Sequence, residues 1–217
     1  MRPRVYVVSA SSSFADSFGS LGLLSPVGCR PFDADRDGIS IGEGAGMVLL
    51  EKVAAGKSRD SIALLGVGES SDAYHMSTPH PEGLGARMAM EQALLSAGLP
   101  PAAVDYINLH GTGTRSNDAT EDKAVCAVFG NETPCSSTKG WTGHTLGACG
   151  AMEAWLGIEM MREGWFCPTA NLENVDPRCG TLDYVMGAPR RLDVEYLMSN
   201  NFAFGGINTA MILRRLG

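Results

Sequence analysis

Ser136-Ser-Thr-Lys-Gly-Trp-Thr-Gly-His-Thr-Leu-Gly-Ala-Cys-Gly-Ala-Met-Glu153 is the stretch from which the fold of this 217-residue chain is read. It begins in strand-like residues and passes Lys139 and His144 in a glycine-punctuated turn. It ends in a helix dense in Gly and Ala, where backbones can approach closely. Turns from strand to helix are where α/β enzymes present polar groups to a substrate.

A lone His is more often structural than functional, but two other stretches share the design. Val104-Asp-Tyr-Ile-Asn-Leu-His110-Gly-Thr-Gly-Thr114 reads as a mostly apolar strand that delivers a second His onto alternating Gly and Thr. Ser199-Asn-Asn-Phe-Ala-Phe-Gly-Gly-Ile-Asn208 reads as a third strand end opening into paired glycines. Three strand ends with polar or glycine-rich tips point to one shared site.

Hydrophobic content of 44% with 19% charged residues is ordinary for a globular protein and excludes disordered and collagen-like classes. A net charge of −7 argues against nucleic acid, whose phosphates call for a basic face. No apolar run approaches the roughly 20 residues of a membrane span. Near the start, the apolar run Val5-Tyr-Val-Val8 is shorter than the ~7 residues a signal peptide needs, so a cytoplasmic location is expected. Cys29, Cys126, Cys135, Cys149, Cys167 and Cys179 show neither CxxC nor His at metal-ligand spacing, which predicts free thiols and no metal. Phe32-Asp-Ala-Asp-Arg-Asp-Gly38 is an acidic turn, but it lacks the ligand alternation and closing Glu of a calcium loop.

Along the chain, Gly44–Glu51 and Ile62–Gly68 are short apolar runs with glycine, as expected of strands buried on both faces. Leu84 to Ala97 reads as a helix with Met90, Ala93, Leu94 and Ala97 on one face and Gly98 placed to end it. Asp118 with Glu121 three residues on looks like a capping-box start, and Ala124, Val125 and Val128 give that helix its stripe before Gly130. A helix from about Gly147 to Glu163 carries apolar residues on most sides and so predicts an interior position, covered by other structure. Strands near Tyr196–Phe202 and Thr209–Leu213 close the chain. This alternation outlines an α/β layered sandwich without a visible internal repeat.

The three stretches resemble the signature blocks of the β-ketoacyl-acyl carrier protein synthases, specifically the elongating type with two active-site histidines. Arg30-Pro-Phe-Asp-Ala-Asp-Arg-Asp-Gly38 with Gly42-Glu-Gly-Ala-Gly46 resembles a fourth block, and the similarity runs from about Phe18 to the C-terminus. The resemblance implies the thiolase-like fold, an α-β-α sandwich built from two halves. Residues 1–56 then correspond to the end of the first half, with 1–17 poorly matched, and residues 57–217 to the second.

The implied activity is decarboxylative Claisen condensation of an acyl thioester with malonyl-acyl carrier protein in fatty-acid or polyketide synthesis. Carried over by position, His110 and His144 are neutral donors to the thioester oxygen and Lys139 is the site's fixed positive charge. Thr112 and Thr114 match hydroxyls that hold the phosphopantetheine arm, which arrives on the acyl carrier protein, so no resident cofactor is implied. Phe204 matches the gating residue whose backbone N–H joins the oxyanion hole. Gly205 and Gly206 match the residues that let that loop move, and Glu153 matches a buried supporting glutamate expected to be hydrogen-bonded or near a cation. Acyl carrier protein and a homo- or heterodimeric partner are the implied associations.

The family's nucleophilic cysteine has no counterpart here. Cys149 stands near a helix start, but at a position where the family often has Ala. Asn201, Ala203 and Ile207 also stand where the family usually has Ser, Gly and Thr. A non-catalytic partner of the chain-length-factor kind, or a truncated remnant that only binds, is the alternative reading, and retention of His110, His144 and Lys139 weighs against it. A thiolase is disfavoured because no cysteine follows Cys179.

Overall fold

A computed structural model describes residues 4–9, 18–52 and 61–216. The expected junction between residues 56 and 57 lies outside them, as do residues 10–17. β1 (Arg4–Ser9) and β2 (Ala45–Leu50) form an antiparallel pair in which Val7 faces Met47. The chain continues through β3 (Ile62–Ser71), α1 (Leu84–Ala97), β4 (Tyr106–Asn108), α2 (Arg115–Phe129), β5 (Pro134–Ser136) and α3 (Cys149–Glu163). It ends with β6 (Trp165–Phe166), β7 (Asp183–Tyr184), β8 (Arg190–Arg191), β9 (Tyr196–Ala203) and β10 (Ile207–Arg215).

The main sheet has the order β3-β10-β9-β4-β5-β7. β10 is antiparallel to both β3 and β9, whereas β9, β4, β5 and β7 run parallel. Successive residues of a strand point to opposite faces, and the sheet divides its apolar residues accordingly. Ile107, Met198 and Ile212 enter a core with Ala89, Met90, Ala93 and Leu94 of α1 and Ala124 and Val125 of α2. Their neighbours Tyr106, Leu197 and Leu213 enter a second core with Met160 and Met161 of α3. Two helices therefore cover one face and α3 the other, which makes the α-β-α layering of the thiolase-like fold.

Two glycines let α1 settle close on β3. A Cβ built on Gly68 would lie 2.0 Å from the Ala89 carbonyl oxygen, and one on Gly66 would lie 2.5 Å from that of Ala93. α1 stops as expected at Gly98, which takes the left-handed conformation at φ 68° and returns its N–H to the carbonyls of Leu94 and Leu95.

Three sequence expectations need correction. β3 is an edge strand with only one face under a helix, so Leu64 and Val67 on its other face are 43% exposed, and Met47 of β2 is 73% exposed. The glycines in these runs mark the approach of a helix, not burial on both sides. α2 begins at Arg115 after Thr114, so Asp118 lies inside its first turn and is no N-cap. α3 buries Glu153, Ala154, Gly157, Met160 and Met161 on one face only, while Trp155 is exposed and Glu159 pairs with Arg162 at the surface.

No helix among the described residues is long and apolar enough to cross a membrane. All six cysteines are free thiols.

Candidate active site

Because β4, β5 and β9 are parallel, their C-terminal ends lie at one edge of the sheet, where ligands of open α/β sheets bind. His110 follows β4 by two residues, Lys139 opens a single helical turn (Lys139–Thr142) after β5, and Phe204 follows β9 directly. The three tips singled out in the sequence thus meet.

The His110 tip is held by acidic side chains of α2. Glu121 accepts the His110 N–H at Oε1 (2.7 Å) and the Gly111 N–H at Oε2 (2.8 Å). Asp118 accepts from the N–H groups of Thr112 (3.1 Å) and Gly113 (3.2 Å), and on its other oxygen from that of Phe32 (2.7 Å). The two residues that looked like a capping box in fact grip the loop that precedes their helix.

Arg36, fully buried, completes this brace. It forms an ion pair with Asp118 at 3.5 Å and with Asp176 at 2.5 Å, and it donates to the carbonyls of Asp33, Thr114 and Arg115. Asp33 in turn accepts the N–H groups of Asp35, Glu173 and Asn174. The acidic turn Phe32–Gly38 is therefore a structural clamp that works through its buried Asp33 and Arg36, while Asp35 and Asp37 are exposed. Sequence reasoning missed Arg36, Asp118 and Glu121 as site supports, and nothing local set them apart, because Arg36 stands between two aspartates and Asp118 and Glu121 lie in the polar run Arg115–Lys123.

His144 is fixed along its backbone by the segment before β2. Its N–H donates to the Ser40 carbonyl (2.7 Å), and its carbonyl accepts the Gly42 N–H (3.0 Å). Its ring Nδ1 accepts the Leu146 N–H at 3.1 Å, which leaves the proton of the neutral ring on Nε2. The rings of His110 and His144 stand at 85°, with centroids 5.3 Å apart. Burial, reinforced by the charge of Lys139, pushes His144 down to about 3. His110 lies well below its ordinary value from burial, then Lys139, then His144. Both rings are neutral at physiological pH.

Lys139 and Glu153 form a buried ion pair, each 3% exposed or less. Burial disfavours the charge on Lys139, but Glu153 overcomes this and raises its pKa, so the lysine stays protonated. Burial raises Glu153, and Lys139 offsets part of that rise. The expectation that Glu153 is partnered is met by Lys139.

A cavity of roughly 580 Å³ opens over these groups, with a mostly apolar wall. His110, His144, Thr112, Thr114, Phe204 and Gly206 all line it, whereas the buried Lys139 and Glu153 do not. The hydroxyls of Thr112 and Thr114 are 3.0 Å apart. Phe204 is 44% exposed and stacks on Phe18 at 5.5 Å. Gly205 and Gly206 both have positive φ, and a Cβ on Gly206 would lie 2.7 Å from that of Asp72. The Gly205 N–H reaches the Met76 carbonyl at 2.7 Å, which ties this turn to the loop after β3.

Of the cysteines, only Cys149 reaches the cavity wall. Burial lifts its thiol to about 11, and its Sγ donates to Asn201 Oδ1 at 2.8 Å. A protonated, hydrogen-bonded thiol is a poor nucleophile.

The family model described as the C-terminal domain of β-ketoacyl synthase matches residues 62–173, and the model for the N-terminal domain matches residues 7–55. A 3-oxoacyl-[acyl-carrier-protein] synthase 2 from Synechocystis sp. is 43% identical over 86% of this chain and 46% of its own length. The chain thus spans less than half of that relative. A β-ketoacyl synthase from Burkholderia phymatum superposes over 99% of this chain and 55% of its own, with a TM-score of 0.93 and 43% identity. A ketosynthase from Xenorhabdus doucetiae, solved in complex with its chain length factor, covers 94% of this chain and 51% of its own at a TM-score of 0.86 and 45% identity.

Proposed function

From the premise that this chain belongs to the β-ketoacyl synthase family, we propose that it provides the decarboxylating part of a 3-oxoacyl-acyl carrier protein synthase of the elongating type. The observation that carries this reading is the perpendicular, neutral histidine pair, with the His144 proton directed to Nε2 by the Leu146 N–H.

Malonyl thioester enters the apolar cavity with its phosphopantetheine arm against the hydroxyls of Thr112 and Thr114. The Nε2–H groups of His110 and His144 donate to the thioester oxygen. The C–C bond to the carboxylate breaks, carbon dioxide leaves, and the electron pair moves into an enolate that the two donors stabilise. Burial, reinforced by the field of Lys139, keeps both rings uncharged, so that they donate without acting as strong acids toward the enolate.

The enolate carbon then attacks an acyl thioester. Its carbonyl oxygen becomes an oxyanion that the Phe204 N–H helps to hold, and collapse expels the thiolate with its electron pair. Cys149 is unsuited to carry that acyl group, so the accepting thiol belongs to the part of the relatives' length that this chain does not span. A non-catalytic partner of the chain-length-factor kind is the second reading, which the unsuited thiol favours and the intact histidine pair opposes.

Decarboxylation of malonyl-acyl carrier protein needs no accepting thiol and separates the two readings. Carbon dioxide and, once the enolate takes a proton from water, acetyl-acyl carrier protein are expected from the protein, and His110→Ala and His144→Ala each lower the rate by about 10²–10³. Release no faster than in the His110→Ala variant would overturn the proposal.

A further inference from the structure

The cavity lining includes two residues at which this chain departs from its family pattern. Cys149 and Asn201, 52 residues apart, are in direct contact. Asn201 shares the α3-facing side of β9 with Leu197, which packs against Gly157 of α3. A thiol is a weak acceptor, so the Cys149 S–H selects the carboxamide oxygen and turns the Nδ2 group away. Burial keeps this thiol protonated, so the S–H remains available.

Glu153 lies four residues beyond Cys149, one turn along the same helical face. One of its oxygens is taken by Lys139 and the other, Oε2, is buried without a hydrogen-bond partner. The Asn201 side chain is, after Lys139, a group that favours the ionised carboxylate. Nδ2 stands over the first turn of α3, 3.7 Å from where a Cβ on Gly150 would lie.

We propose that Asn201 is a positioning residue for the Lys139–Glu153 pair, its carboxamide held in register by the Cys149 thiol. This rests on the role given above to Lys139 and the two histidines. Asn201 presents Nδ2 to the uncommitted side of Glu153, which keeps the carboxylate ionised and Lys139 seated behind the rings. Cys149 thereby has a use other than nucleophilic attack.

The test is carbon-13 NMR of the Glu153 carboxyl together with the Asn201 side-chain amide signals, in the whole chain. Asn201→Leu, close in size and without a donor, should raise the Glu153 titration midpoint by about one pH unit, the loss expected for a hydrogen bond to a charged group. Cys149→Ala should raise it less and shift or broaden the Asn201 amide pair, and Cys149→Ser, which restores a donor, should return both. Cys149→Ala introduces a residue common in the family, so a loss of fold is not expected to mask the result. Malonyl-acyl carrier protein decarboxylation is followed in the same samples. If wild-type turnover is absent while the NMR shifts appear, the catalytic reading fails and the positioning contact stands. An unmoved Glu153 midpoint in both Asn201→Leu and Cys149→Ala, with wild-type turnover present, overturns the positioning role.

Discussion

Asn208 Nδ2 donates to Asp72 Oδ1 at 2.8 Å, joining the start of β10 to the loop that follows β3. The same Asn208 nitrogen reaches the Gly206 carbonyl at 3.0 Å, and the Asp72 N–H reaches that carbonyl at 2.8 Å. The second Asp72 oxygen accepts the His80 N–H at 2.8 Å. The turn that carries Phe204 is thus held at the Gly206 carbonyl by the Asp72 N–H and by the Asn208 amide, which the Asp72 carboxylate positions.

Asp72→Ala should release that latch without unfolding the sheet. Amide hydrogen exchange at Gly205 and Gly206 is expected to speed up by about tenfold or more, the factor for roughly 1.4 kcal/mol of local opening energy. Exchange within β9 and β10 should stay slow. Unchanged rates at Gly205 and Gly206 would show that the turn is held by other means.

His144 gives the protein an acid limit. Its folded pKa, about 3, lies below the ordinary 6.5, so between these values the unfolded chain binds the proton that the folded one refuses. Stability should therefore fall as pH drops below 6.5, by up to about 1.4 kcal/mol per pH unit from this ring. His144→Asn should flatten that fall in urea titrations between pH 6.5 and 4, and an equal slope in both proteins would contradict the assignment.

Glu121 works in the opposite direction. Burial raises its carboxyl from 4.5 to about 7, only partly offset by the Gly111 and His110 N–H groups, so the folded state holds this proton more tightly. Its contribution is fully present below pH 4.5 and is lost as pH rises to 7, a change of about 3 kcal/mol. The stability difference between wild type and Glu121→Gln should shrink by that order across this window. A pH-independent difference would argue for a permanently ionised Glu121.

Arg36→Met should cost about 3–5 kcal/mol, because it leaves the fully buried Asp118 without its cation, whereas Asp176 keeps Arg178. The loop Thr112–Gly113 hangs from the same Asp118, so loosening there should accompany the loss. Chemical denaturation measures the first effect and backbone amide chemical shifts the second. A cost under 1 kcal/mol would mean that water replaces the guanidinium.

The amino-acid sequence by itself determined the layers and the meeting of His110, Lys139 and Phe204. Period-two alternation sorts Tyr106 from Ile107 and Leu197 from Met198, and parallel strands separated by helices bring their ends to one edge. Gly98 likewise announced the end of α1, because a left-handed residue there is a local matter. Only the tertiary structure decided what the polar residues do. Asp118 and Glu121 have the spacing of a helix cap, yet they hold the loop before α2, since the helix starts four residues earlier than that spacing suggests. Arg36 finds Asp176 across 140 residues, and Cys149 finds Asn201 across 52. Such pairs leave no periodic trace, because a hydrogen bond depends on where two groups come to rest and not on how far apart they lie along the chain. The exposure of Leu64 and Val67 is of the same kind: an apolar run records what a strand can bury, and its place at the edge of the sheet determines what it does bury.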